Sequence, residues 1–177
     1  LPLPFAVAEV SGDAGWRARI EAAERLVRAG AMSPRQLFDA FSPGPLTIIL
    51  PRSSRIPDVV TAGLDTVGVR IPSHPVARSL LKAVGGPVAA PSANRSGRPS
   101  PTDFAAAVAQ MRGRVDAILD AGECEHGLET TILRVSGGSV TVLREGAITR
   151  EMIGEALGDV QIAVSADKGE ADGAETA

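Results

Sequence analysis

Residues 87–111 read PVAAPSANRSGRPSPTDFAAAVAQM, an apolar run that ends in proline, a loop of small polar residues, and then a strongly capped apolar stretch. Ser100-Pro101-Thr102-Asp103 combines an N-cap serine, a proline at the first helical position and an acid three residues on, which predicts a helix beginning at Ser100 and running to Met111. Pro87–Ala90 before it reads as a strand. A strand, a short loop and a capped helix form the repeating unit of an α/β domain, and the rest of the chain extends that pattern.

Working outward, Leu46–Leu50, Thr66–Ile71, Ala117–Leu119, Thr131–Val135 and Val140–Leu143 are further strand candidates. The last two flank Ser136-Gly137-Gly138-Ser139, whose paired glycines suit a tight turn, so they are expected to form a hairpin and add an antiparallel element. Helices are expected over Trp16–Ala29 after Asp13, with Ile20, Ala23, Leu26 and Val27 on one face and Gly30 as the stop. Another follows Ser33-Pro34, carrying Leu37, Phe38 and Phe41, and a last one spans about Thr149 to Leu157 and ends at Gly158.

The chain has 177 residues, 44% hydrophobic and 22% charged, which suits one globular domain. Lys and Arg total 18 against 21 acids; setting aside Lys168 and the four acids of residues 161–177 leaves 17 of each in residues 1–160. A neutral body argues against a dedicated nucleic-acid coat, which needs a basic surplus to displace counterions. From Ser165 no large apolar residue occurs, so residues 161–177 are expected to be an acidic flexible tail or linker after a domain over residues 1–160. The chain opens on Leu1 inside an apolar segment that reads as a strand, and upstream sequence is therefore expected.

Cys124 is the single cysteine and has no internal disulfide partner, so reduced cytoplasm is the expected compartment. His74 and His126 are too few for a Cys/His zinc cluster, and no apolar stretch approaches the roughly 20 residues of a membrane-spanning helix. Cys124 and His126 lack a third orienting group, so no nucleophilic pair and no protein metal site is expected there.

Chemistry concentrates elsewhere. The loop before the capped helix offers Ser92, Asn94, Ser96 and Ser100, with Gly97 and Ala93 small enough for close approach, and such a loop at a helix start suits an anion. An exposed turn would have the same composition, and the Gly-Lys-Ser ending of a P-loop is absent. Arg70 interrupts the apolar strand TVGVR, where a guanidinium needs an anion, several carbonyl acceptors, or an edge position from which to reach water. Arg144 in LREG closes a strand just before a glycine.

Six segments in order, SPGPLT (42–47), TVGVRIPSHPVA (66–77), AAPSANRSGRPSPT (89–102), ILDAG (118–122), GLETT (127–131) and VLREGAIT (142–149), resemble the threonylcarbamoyl-AMP synthases of the YrdC family. The resemblance implies a twisted mixed α/β sheet with an open cavity and helices packed outside. It also implies ATP-dependent union of L-threonine and bicarbonate into threonylcarbamoyl-AMP, used by tRNA threonylcarbamoyl-transfer proteins to modify adenosine 37 of tRNA. By motif position, Thr66, Ser92, Asn94, Ser100 and Arg144 would contact ATP. Arg70, Ala90 and Thr130 would contact threonine, with Ala90 acting through its backbone on the strand next to that of Arg70.

In that chemistry the threonine amine takes up bicarbonate-derived CO2, the carbamate attacks the α-phosphate, and pyrophosphate leaves. The protein supplies position and charge rather than a nucleophile, with Mg2+ on the phosphates. Thr130 stands where the family usually has serine in a G-x-E-S-T motif, and the hydroxyl is kept. A basic K-x-R motif belongs upstream of the segment that Leu1–Val7 resembles, and Ala6 occupies a position where many members have histidine. Two readings compete: an RNA-binding protein of the same fold with Arg95, Arg98, Arg112 and Arg114 as its footprint, and a carbamoyl-adenylate-forming relative that uses carbamoyl phosphate. The first lacks interleaved aromatic residues for base stacking.

Overall fold

The computed structural model describes residues 7–9, 34–125, 127–136, 139–158 and 160–165. In chain order these form β1 (Val7–Glu9), α1 (Pro34–Phe41), β2 (Leu46–Pro51), α2 (Asp58–Thr61), β3 (Thr66–Arg70), α3 (Pro75–Val84), β4 (Val88–Ala89), α4 (Phe104–Met111), β5 (Thr131–Ser136), β6 (Ser139–Arg144), α5 (Arg150–Leu157) and β7 (Ile162–Val164). The expected helix over Trp16–Ala29 and its stop at Gly30 lie outside the described residues.

The strands make one mixed sheet in the order β4-β1-β3-β2-β5-β6-β7. The expected hairpin is present: β5 and β6 pair antiparallel with Ser136 opposite Ser139, and the two turn glycines lie outside the described residues. On β2, Leu46, Ile48 and Leu50 alternate onto the face that packs Leu37 and Phe38 of α1 and Ile153 of α5, together with Leu133, Val140 and Val142. Period-two alternation therefore sends Thr47 and Ile49 to the opposite face. Eight of those nine core residues are fully or almost fully buried, a cluster large enough to fix strand register, because a slip of one residue would turn the whole set to the wrong side.

Four expectations change. The helix begins at Phe104, not Ser100, because the Asp103 carboxylate takes the N-cap role, accepting from the Ala106 N–H at 2.8 Å. Ala117–Leu119 forms no strand; Leu119 is 60% exposed, and no neighbouring strand offers it a ladder. The segment after residue 160 starts as sheet, since β7 pairs parallel with β6, so the folded body extends past the expected boundary. Finally β1 lies between β3 and β4, so Ala90 is not on the strand next to Arg70.

The helix α3 was not anticipated, although its signals are local. His74 caps it, Nδ1 accepting from the Val76 N–H at 3.3 Å, Pro75 follows at the first position, and Gly85 closes it at φ 70°. Among the described residues no helix is long and apolar enough to cross a membrane.

Candidate functional site

Strand direction gathers the site at one edge of the sheet. Arg70 and Arg144 are the last residues of β3 and β6, while Thr47 and Thr131 lie at the starts of β2 and β5, which run the other way. Residues directly opposite one another form a continuous row: Arg70 faces Thr47, Thr47 faces Ile132, and Ile132 faces Arg144. Cross-strand partners share a face, so both arginines project from the face opposite α1 and α5. Three strand steps of about 4.8 Å put their backbones roughly 14 Å apart, a gap two long side chains and a small ligand can fill.

Arg144 reaches that face through a break in register. Leu133 faces Val142, but Ile132 faces Arg144, so β6 contributes one extra residue between these pairs. Val142 belongs to the core, and strict alternation would have sent Arg144 to the same side. The bulge turns it over.

Thr130 is the hub. Arg144 donates from Nε to the Thr130 carbonyl at 3.0 Å and from Nη2 to its Oγ1 at 2.9 Å. The Thr47 and Thr130 hydroxyls lie 3.2 Å apart. Glu129 completes the cluster: its Oε2 is 3.4 Å from Arg144 Nη2, and its Oε1 accepts from Ser100 Oγ at 2.7 Å. Burial depresses the Arg144 pKa, Glu129 pushes it back up, and the charge of Arg70 depresses it further. Arg70 and Arg144 thus feel each other electrostatically, and two cations turned to one region favour an anion there.

Backbone contacts hold the Glu129–Thr131 corner. Thr131 Oγ1 donates to the Ile148 carbonyl at 2.7 Å and lies 2.9 Å from the Ile148 N–H, and the Ala147 N–H points at the Glu129 carbonyl at 3.4 Å. Gly146 passes so close that a Cβ there would collide with backbone atoms of Glu129, Thr130 and Thr131. Only glycine fits this crossing.

The loop before α4 is also built. Asn94 Nδ2 donates to the carbonyls of Arg95 and Arg98 at 3.1 and 2.8 Å, and Gln110 of α4 accepts from the Arg95 N–H at 3.0 Å and donates to the Pro99 carbonyl at 3.2 Å. Ser100 Oγ, 3.4 Å from Asn94 Oδ1, joins this loop to Glu129. The α4 N-terminus itself is occupied by the Asp103 carboxylate, so the helix-dipole argument for an anion at Ser92–Ser100 no longer applies.

The structure therefore brings Arg70, Asn94, Ser100, Thr130 and Arg144 together. It adds Thr47 and Glu129, which sequence reasoning did not assign; Glu129 was visible beside Thr130 in GLETT, whereas Thr47 needed the strand register. Ser92 is exposed in the loop after β4, and Ala90 directly follows that strand. Thr66 opens β3, four residues and roughly 13 Å from Arg70, at the opposite edge of the sheet.

Among the described residues, an α/β sheet that sets two arginines, two threonine hydroxyls and one carboxylate at a common edge has the chemistry to receive a small ligand bearing anionic and hydroxyl groups. The model of the Sua5, YciO and YrdC proteins, described as telomere recombination, matches residues 17–146, and the chain belongs to that family. The threonylcarbamoyl-AMP synthase of Pyrococcus abyssi is 39% identical over 145 residues, which cover 82% of this chain and 43% of that protein. The synthase of Bacillus subtilis is 39% identical over 156 residues, covering 88% and 44%. A crystal structure of Pyrococcus abyssi Sua5 complexed with L-threonine superposes with a TM-score of 0.71 at 30% identity, covering 98% of this chain and 59% of that one. The chain thus spans less than half the length of those two synthases.

Proposed function

We propose that this chain makes threonylcarbamoyl-AMP from L-threonine, bicarbonate and ATP in the cytoplasm, releasing pyrophosphate and supplying the proteins that modify tRNA adenosine 37. The observation that carries this reading is the placement of Arg70 and Arg144 on one face at one edge of the sheet, with the Thr130 hydroxyl between them. The names of the two synthases and the threonine held by the Pyrococcus abyssi neighbour support it.

In this reading Arg70 neutralises the threonine carboxylate, Thr130 meets the amino acid through its hydroxyl, and Ala90 contributes its backbone. Arg144, Ser100 and Asn94 hold the nucleotide, with Ser92 and Thr66 as outlying contacts. The ionised guanidinium of Arg144 stabilises charge that builds on the phosphates as the carbamate attacks and pyrophosphate departs. ATP enters with Mg2+ on its own phosphate oxygens, so the metal is part of the substrate. Among the described residues no group of three His, Cys, Asp or Glu side chains forms a cage for it, and Glu129 is already engaged by Ser100 and Arg144.

The test is pyrophosphate release with mass-spectrometric detection of threonylcarbamoyl-AMP. Release should require threonine and bicarbonate together. Equal release with serine, or with no amino acid, overturns the assignment.

RNA contact is a second reading, favoured by one observation: Gln110 pins the loop of Arg95 and Arg98 to the helix end from which Arg112 and Arg114 follow. Four exposed arginines at one place suit phosphates. Retention of tRNA that falls steeply with salt supports this reading, and no retention at low salt removes it.

A further inference from the structure

Ser100 and Arg144 come from separate parts of the chain, one from the loop before α4 and one from the end of β6, and a single side chain spans them. Glu129 takes Ser100 on Oε1 at 2.7 Å and Arg144 on Oε2 at 3.4 Å. We infer that Glu129 is a positioning residue, which sets the geometry of both nucleotide contacts without touching the nucleotide; this rests on the functional reading above.

The chemistry of each contact is fixed by the same carboxylate. Ser100 has one hydroxyl proton, and at 2.7 Å against 3.4 Å it belongs to Glu129 rather than to Asn94. The serine oxygen is left with lone pairs, so it accepts from a ligand hydroxyl or amine and does not donate to phosphate. Arg144 is held along its Nε and Nη2 edge by Glu129 and Thr130, which aims the rest of the guanidinium away from the corner. One carboxylate thereby supplies an acceptor and a donor in fixed register, and shares the two-cation charge that would otherwise repel across the pocket.

The side chain of Glu129 is 52% exposed, so its removal leaves no buried cavity. Titration calorimetry of ATP and of threonine with this chain, as wild type, Glu129→Gln, Glu129→Ala, Arg144→Ala and the Glu129→Ala/Arg144→Ala double variant, tests the inference. Expected are about tenfold or greater weakening of ATP by Glu129→Ala, a smaller loss by Glu129→Gln, threonine affinity within about twofold, and a double variant weaker than Arg144→Ala alone, through the freed Ser100, but by clearly less than the Glu129→Ala factor. Independent, additive losses in the double variant overturn the inference, as does equal weakening of ATP and threonine. ATP affinity within twofold of wild type in both Glu129 variants also overturns it and leaves the functional reading standing. Absence of ATP binding by the wild type overturns the functional reading itself.

Discussion

Arg144 grips Thr130 twice, Nε on its carbonyl oxygen at 3.0 Å and Nη2 on its hydroxyl at 2.9 Å. The hydroxyl also meets Thr47 at 3.2 Å, so it serves an arginine on one side and a buried threonine on the other. Thr130→Ser keeps that oxygen and should change threonine affinity by no more than about twofold. Thr130→Val keeps the shape and strands both partners, at about 1–3 kcal/mol, so threonine affinity should fall roughly tenfold or more. Equal affinities for the two variants in calorimetry contradict the role given to the hydroxyl.

Arg70 and Arg144 share a face but lie three strand steps apart, which allows their duties to separate. Arg70→Ala should raise the threonine requirement more than the ATP requirement, by roughly tenfold to a hundredfold, since a charge-assisted bond to a carboxylate is worth about 1.5–3 kcal/mol. Arg144→Ala should do the reverse. Steady-state kinetics with each substrate varied separately decides the matter, and a change confined to ATP in both variants removes the threonine role of Arg70.

Gly146 lies against the backbone of Glu129, Thr130 and Thr131, and backbone cannot yield as a side chain can. Gly146→Ala should cost about 1–3 kcal/mol of stability, seen as a lower denaturant midpoint, and weaken threonine binding along with it. A variant as stable as wild type shows that the backbone at this crossing yields to a methyl group.

Asp103, not Ser100, caps α4. Asp103→Ala should cost about 1 kcal/mol and speed hydrogen exchange at the Ala106 amide, whereas Ser100→Ala should leave that amide unchanged while weakening ATP binding. Faster exchange in the Ser100 variant restores the cap to serine.

The Glu151 carboxyl in the first turn of α5 titrates below its ordinary value, held ionised by its own backbone N–H and by the Thr149 side chain. A depressed carboxyl stabilises the folded chain above its unfolded pKa, and that contribution disappears as pH falls through the folded value. Thr149→Ala should raise the Glu151 pKa in a carboxyl NMR titration; an unchanged value excludes the threonine as a cause.

Local chemistry made much of this legible. Gly158 after the last helix, the hairpin strands on either side of residues 137–138, and the apolar strands β2 and β3 all depend on neighbours in sequence, and each is present. The placing of β1 between β3 and β4 depends on pairing between distant segments, and no periodicity encodes it. The start of α4 is ambiguous in sequence because serine, proline and aspartate all favour helix starts; Asp103 holds the cap, while Ser100 donates to Glu129, a residue distant in sequence. Arg70 and Arg144 stood out as charges in apolar strands. Thr47 did not, since a threonine in a strand is ordinary until the register puts it opposite an arginine.

The extra residue in β6 between the Val142 and Arg144 pairings has an outcome for descent and for engineering. Regular pairing onward from Leu133 and Val142, with no residue lost, would keep every arginine in the sequence and keep the hairpin, yet deliver the guanidinium to the side where α5 lies. Such a straightened strand would pass a comparison of motifs and take Arg144 out of the pocket. Among relatives of this chain, the pairing register between the hairpin turn and LREG is therefore as informative as the letters themselves.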